Sequence, residues 1–112
     1  MTSLNERLQG IAVIFGNVLG KTYHYRKKDR VKAPYAVWAE NGEPGSFSGD
    51  GKKGEQGIAG TLDFFTLDEF DPLVDDFQTA LADRFGSSWS LIDVQYEEET
   101  NLIHYSWSWE DT

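Results

Sequence analysis

The sequence near the end of this chain alternates apolar and polar residues, and this pattern constrains the fold more than any other. One side of the stretch carries Ile103, Tyr105, Trp107 and Trp109. The opposite side carries His104, Ser106, Ser108 and Glu110. A period of two predicts a β-strand with one buried face and one open face. Residues 89–96 place Ile92, Val94 and Tyr96 on one face, so a β-hairpin with a turn at 98–101 is predicted.

Three earlier segments also have features of β-strands. Residues 35–39 (YAVWA) follow Pro34, which lacks a backbone donor and suits the first position of a strand. Residues 58–65 alternate with a period of two, which predicts another strand with one buried face. The basic stretch 21–32 contains Tyr23 and Tyr25 in alternation, so part of it is predicted to form an exposed strand.

The clearest helix signal starts at Asp71 and Pro72, which suit an N-cap and the first helical position. Gly86 suits the C-terminal cap of the same helix. Apolar residues between these points recur at steps of three and four, which predicts an amphipathic helix over about 72–85. The recurring residues are Leu73, Phe77, Ala80, Leu81 and Phe85.

The start of the chain predicts a second helix. Ser3 and Glu6 have the spacing of a capping box, and a short helix from there is predicted to end near Gly10. The apolar run 11–15 is rich in β-branched residues and fits either a buried strand or the end of that helix.

Together these segments predict an α+β fold. We expect a mainly antiparallel sheet of four to five strands, packed with one long amphipathic helix at about 72–85 and a short N-terminal helix. The length of 112 residues predicts a single domain over 1–112. The chain has no cysteine, and its start shows neither a signal-peptide pattern nor a long apolar run, so a soluble, unprocessed protein is expected.

Charge is divided unevenly along the chain. Residues 1–56 hold nine Lys and Arg against six Asp and Glu, whereas residues 57–112 hold one against thirteen. An acidic surface binds nucleic acid poorly, because affinity for phosphates comes from Lys and Arg. The cationic residues concentrate in two places, and we interpret them as candidate partner-binding residues: Arg26, Lys27, Lys28, Arg30 and Lys32, with Lys52 and Lys53.

Glycine occupies almost every third position from Gly42 to Gly60, with Ser48 as the exception. A collagen helix needs an unbroken repeat with many prolines, which this stretch lacks. A phosphate-binding loop needs G-x-x-x-x-G-K-[ST] before a helix, but here the glycine spacing is too long and a strand follows. We therefore predict a mobile loop over about 41–56 that becomes ordered on assembly.

The sequence offers little for catalysis. His24 and His104 are the only histidines, and neither has neighbouring residues at metal-ligand spacing. The acidic run around 68–76 lacks the pattern of a calcium loop and is read as a solvated surface near a helix start. The expectation is a protein without enzymatic activity, cofactor or metal.

Five motifs in order resemble the small tail-terminator-like proteins of long-tailed bacteriophages and prophages. They are PYAVW at 34–38, the loop SFSGDGKK at 46–53, TLDFFTLDEFDP at 61–72, the amphipathic helix after it, and the ending YEEE at 96–99 with HYSWSWE at 104–110. The resemblance spans about residues 8–110.

The resemblance implies a structural role. Such proteins are α+β subunits that close into a ring at the head-proximal end of the tail tube, stop its growth and join it to the head. It implies a ring of copies of this chain, hexameric in the virion and monomeric in isolation. The partners implied are the tail tube protein and head-tail connector proteins, with no specific nucleic-acid sequence and no membrane. The location implied is the host bacterial cytoplasm during assembly, then the virion tail or neck.

Two other functions fit the same sequence. One is a different neck or head-tail connector component, because these share small α+β subunits of similar composition. The other is an acidic inhibitor or immunity-type protein that docks an exposed aromatic hairpin on a basic partner. Neighbouring tail genes would favour the phage role, and a neighbouring toxin or nuclease gene would favour the inhibitor.

Overall fold

The computed structural model describes residues 3–44 and 56–112 and contains two helices and five strands in an α+β arrangement. The elements are α1 (Leu4–Val18), β1 (Thr22–His24), β2 (Tyr35–Gly42), β3 (Ile58–Thr66), α2 (Pro72–Phe85), β4 (Trp89–Glu97) and β5 (Leu102–Asp111). This confirms the predicted class and the predicted number of strands. The described residues include the ends of the glycine-rich stretch, whereas residues 45–55 lie outside them.

The five strands form one mixed sheet in the order β1-β2-β3-β5-β4. The β1–β2 pair is parallel, and the other three pairs are antiparallel. β1 and β4 are therefore the two edges of the sheet. The predicted hairpin is present as β4 and β5, and its β4 strand contains a bulge between Leu91 and Asp93.

Helix α1 differs from the prediction. It does not end near Gly10 but continues to Val18, so residues 11–15 are helical rather than a strand. The predicted cap is present, since the Ser3 side chain accepts a hydrogen bond from the Glu6 backbone N–H. The helix continues because Ile11 and Phe15 are both buried in the core, and this burial outweighs the weak helix propensity of glycine.

Helix α2 has the predicted bounds, but it is not a long helix. Its 14 residues make it slightly shorter than the 15 residues of α1, so the prediction of one long helix beside a short one is wrong. The predicted caps of α2 are present. The Asp71 side chain accepts a hydrogen bond from the Leu73 N–H, Pro72 is the first helical residue, and Gly86 is the C-cap.

The core lies between the two helices and one face of the sheet. It is built largely from aromatic rings, which explains the high aromatic content of the chain. Phe15 of α1 contacts four of these rings at centroid distances between 5.9 and 6.4 Å: Trp38, Phe77, Phe85 and Trp109. As predicted, Trp107 and Trp109 point into this core.

Strand β3 runs through the middle of the sheet with strictly alternating burial. Gly60 has a specific role in it, because a Cβ there would lie 2.2 Å from the Trp109 ring and 2.5 Å from the Ala39 carbonyl oxygen. The absence of a side chain lets Trp109 lie directly over the β3 backbone.

A buried carboxylate joins both helices to the last strand. Asp111 of β5 forms ion pairs with Arg7 of α1 at 2.9 Å and with Arg84 of α2 at 3.0 Å. Arg7 also donates to the backbone oxygens of Asp111 and Gln56. Gly10 leaves room for this cluster, since a Cβ there would meet Arg84 Nη1 at 3.4 Å.

The helices cover only one face of the sheet, which we call the helix face. The other face, called the open face, carries the second set of alternating side chains from β2, β3, β5 and β4. The open face and the two sheet edges are therefore the surfaces available for interactions.

Candidate interaction surface

The predicted cationic residues lie together at one edge of the sheet. Arg26, Lys27, Lys28, Arg30 and Lys32 follow β1 and lead back to the start of β2, and we call them the basic segment. Among residues 3–44 and 56–112, no carboxylate forms an ion pair with any of these five side chains. Lys52 and Lys53 lie outside the described residues, so the structure does not place them beside this segment.

The backbone of the basic segment turns sharply twice and is tied to the start of β1. Tyr25 and Arg30 have positive φ values of 75° and 64°, so the chain turns sharply at both places. Lys21 Nζ donates to the Lys32 carbonyl oxygen at 2.6 Å and ties the end of the segment to β1. Lys27 is half-buried, with its Nζ 5.7 Å from the centroid of the Tyr35 ring, whereas Lys28 is exposed.

Acidic residues collect at the end of the sheet where β3 and β4 finish. We call five exposed residues there the acidic end: Asp68, Glu69, Glu97, Glu98 and Glu99. The last three lie beside β4, at the edge opposite the basic segment. Neighbouring strands lie about 4.8 Å apart, so four intervals separate the two edges by about 19 Å, which is too far for a direct ion pair.

The β4 edge exposes apolar side chains, three of which the sequence pattern placed on one face of the predicted hairpin. Ile92, Val94 and Tyr96 are exposed by 55%, 47% and 59%, and Leu91 beside them is exposed by 47%. We call these four residues the β4 apolar strip. They remain exposed because α2 packs mainly over β5, leaving the helix face of β4 largely uncovered.

A shallow pocket of about 360 Å³ lies on the open face beside the basic segment. Its floor is a row of stacked rings: Phe65 contacts Tyr35 at 4.7 Å and His104 at 4.1 Å between centroids. Arg26 and Lys27 line one side of this open-face pocket. Burial and the negative charge of Glu97 raise the pKa of Tyr35 above its ordinary value.

The two histidines have separate environments. His104 lies on the open face, as predicted, with its Nε2 2.8 Å from Asp63 Oδ1. His24 stacks on Trp38 at 3.9 Å beside α1, far from the His104 ring in the sheet order, so the two do not form one site. Within the described residues, no group of three or more His, Asp or Glu side chains is placed to hold a metal ion.

The His24 environment includes a carboxylate that sequence reasoning did not single out. Glu40 Oε1 lies 2.7 Å from His24 Nε2, and the Tyr25 hydroxyl donates to Glu40 Oε2. Burial alone would raise the pKa of Glu40, but the hydrogen bonds from Tyr25 and His24 outweigh it and hold that pKa below its ordinary value. The same hydrogen bond is the main cause that raises the pKa of Tyr25.

The turn between β3 and α2 exposes two apolar residues. Phe70 is exposed by 89% and Leu67 by 57%, and both flank the acidic pair Asp68 and Glu69. This turn lies at the same end of the sheet as the start of β2, because Tyr35 pairs with Phe65 near the end of β3.

Neither a scan against models of known protein families nor a search of curated proteins finds a match to this chain. No helix within the described ranges is long and apolar enough to cross a membrane. The candidate function is therefore argued from the surfaces described above and from the sequence resemblance.

Proposed function

We propose that this chain is a structural subunit that assembles head to tail into a ring, in the manner of a phage tail terminator. The observation that supports a ring is the position of the basic segment at one edge of the sheet and of Glu97, Glu98 and Glu99 of the acidic end at the opposite edge. A ring needs two different patches on each subunit, each complementary to the other. The basic segment and the acidic end meet this requirement.

The charges on these patches are free to act between molecules. The five cations of the basic segment have no ion-pair partner among the described residues, and four of them are exposed. Complementary charge steers encounter and sets the orientation of partners more than it adds affinity. The contact between subunits should therefore have a defined register and a strong dependence on salt.

The β4 apolar strip supports the same assembly by supplying hydrophobic area. Exposed apolar residues next to charged ones are typical of a contact surface, in which an apolar centre is surrounded by a polar rim. The strip adjoins Glu97 at the acidic edge, so one neighbouring subunit could cover both.

A charge-exchange experiment tests the head-to-tail contact. Variant A carries Lys27, Lys28 and Arg30 replaced by Glu, and variant B carries Glu97, Glu98 and Glu99 replaced by Lys. Each variant alone should fail to associate, because like charges at a contact cost several kcal/mol. The two mixed together should associate into rings with an even number of subunits, since each reversed patch then meets its complement.

The matched control changes charge equally at another place. Asp75, Asp76 and Asp83 are exposed on the outer side of α2, and their replacement by Lys should leave association intact. Light scattering at low and high salt is measured at concentrations at which the wild-type chain forms rings. Ring formation by variant A alone under those conditions would contradict the proposed contact.

The assignment to a phage tail rests on the sequence resemblance, and electron microscopy of particles lacking this gene tests it. Tails of uncontrolled length would support a terminator that stops growth of the tail tube. Normal tails without heads would indicate a head-tail connector instead. Variant A should fail to restore normal particles although circular dichroism shows it to be folded.

The inhibitor alternative is less well supported. It requires an exposed aromatic hairpin, but Trp107 and Trp109 are exposed by 0% and 1%. Tyr96 is the exposed ring of that hairpin, so a basic protein partner would find little aromatic surface there.

A further inference from the structure

The turn formed by residues 67–71 exposes an aromatic side chain to solvent. Phe70 is exposed by 89%, which is unusual for a large apolar residue. Its φ of 61° lies in the left-handed region, which is unfavourable for a bulky side chain. Such strain persists only where the surroundings impose it, and it occurs often at functional sites.

The surroundings that impose this conformation are two buried polar residues. Thr66 and Asp71 are exposed by 1% and 7%, and Thr66 Oγ1 donates to Asp71 Oδ2 at 2.6 Å. Asp68 N–H donates to Thr66 Oγ1 at 3.1 Å, and Leu73 N–H donates to Asp71 Oδ1 at 2.9 Å. Both ends of the turn are fixed, so Phe70 would lose little backbone freedom on binding.

The same molecule contains a pocket of complementary chemistry. The open-face pocket has an apolar floor that includes Val37 and Phe65, and Arg26 and Lys27 line one side of it. Its lining also includes one carboxylate, Asp63, which is hydrogen-bonded to His104. The turn offers the reverse arrangement, an apolar ring with Asp68 and Glu69 beside it. An aromatic side chain inserted into the pocket would therefore bring two carboxylates towards two cations.

We propose that Phe70 of one copy inserts into the open-face pocket of a second copy. This inference rests on the proposed self-assembly and names the apolar anchor of its contact. Because the turn and the pocket are different patches, each copy in a ring would insert its Phe70 into one neighbour and receive Phe70 from the other. The anchor joins the acidic end of one copy to the basic segment of the next.

Site-directed cross-linking tests this contact directly. The chain has no cysteine, so single cysteines introduced at chosen positions report one contact without background. Leu67→Cys, exposed by 57% in the same turn, keeps Phe70, and Ser106→Cys lies beside the pocket because Ser106 pairs with Asp63 of its lining. Copies with these two changes are mixed and treated with a short thiol-reactive cross-linker. Val13→Cys, exposed by 61% on α1, replaces the Leu67→Cys copy as the matched control.

The expected result is rapid formation of the 67–106 linked dimer and slow formation of the 13–106 dimer. Equal rates for the two mixtures would overturn the inference, because they would reflect random collision. Labelling the two copies with different masses identifies each linked species by mass spectrometry.

A second measurement uses the strain at residue 70. Phe70→Gly removes the ring and relieves the left-handed backbone, so we expect a higher unfolding midpoint together with weaker self-association. Loss of an interface hot spot weakens binding by at least about 30-fold, measured here by sedimentation equilibrium. A residue with only a structural role would change stability without changing association.

The outcomes separate this inference from the proposed function. If Phe70→Gly associates as strongly as the wild type while variant A fails to associate, the inference that Phe70 is the anchor is wrong and the proposed ring contact is unaffected. Equal rates of formation of the 67–106 and 13–106 dimers would overturn the anchor, whereas the ring would still be tested by particles lacking the gene.

Discussion

Replacement of Asp111 by Ala tests whether one buried carboxylate holds both helices against the sheet. Asp111 accepts four side-chain hydrogen bonds, two from Arg7 and two from Arg84. Its side chain is exposed by 9%, and those of Arg7 and Arg84 are exposed by 15% and 26%. The variant would leave two cations facing each other without a counter-charge.

The expected loss in the free energy of unfolding of Asp111→Ala follows from these contacts. Hydrogen bonds to charged groups each contribute about 1.5 to 3 kcal/mol, so four independent ones would contribute about 6 to 12 kcal/mol. Both guanidinium groups reach some solvent and can be rehydrated, so we expect a loss of about 3 kcal/mol, typical of a broken buried ion pair. For a chain of this length, that loss lowers the melting temperature by about 12 °C.

The assay is urea unfolding followed by tryptophan fluorescence, since buried Trp107 and Trp109 report the core. Arg84→Ala and the double variant complete a mutant cycle, and we expect a coupling energy of about 1 to 3 kcal/mol. Asp111→Ala within about 0.5 kcal/mol of the wild type, the range of ordinary surface substitutions, would refute the role assigned to this carboxylate.

Three further predictions concern single residues. Gly60→Ala should destabilise the fold by about 3 kcal/mol, because its Cβ overlaps the Trp109 ring, whereas Gly20→Ala has open space and should be nearly neutral in the same urea assay. Phe70→Gly should stabilise the monomer by about 1 kcal/mol, and an unchanged urea midpoint would argue against strain at that residue. The folded-state pKa of Glu40 lies below its ordinary value of 4.5, so its stabilising effect is complete above that value and is lost as pH falls through the folded pKa. Wild-type stability should therefore fall more steeply than that of Glu40→Gln between about pH 5 and about pH 3, and parallel curves would contradict this.

Local signals in the sequence were sufficient for some elements. Asp71, Pro72 and Gly86 mark the ends of α2 correctly because caps and turns depend on near neighbours. The alternation in β5 predicted the buried side of the strand for a similar reason, since a period of two leaves no other face for Trp107 and Trp109.

Other features depend on contacts between distant segments. Gly10 looked like a helix end, but Ile11 and Phe15 gain more by packing in the core than the helix loses through glycine. The composition identified the basic segment, whereas its place at a sheet edge depends on the three-residue strand β1 pairing in parallel with β2. The sequence contains no local signal for the exposure of Phe70, which depends on the turn held by the hydrogen bond between Thr66 and Asp71.

The bulge in β4 also governs how this protein behaves at high concentration. A regular edge strand is a template on which further strands can add without limit. In β4 the ladder is interrupted between Leu91 and Asp93, and exposed Asp93 and Glu97 would be desolvated by an incoming backbone. Addition of another strand at this edge is therefore disfavoured, and the β4 edge is a poor template for fibril growth.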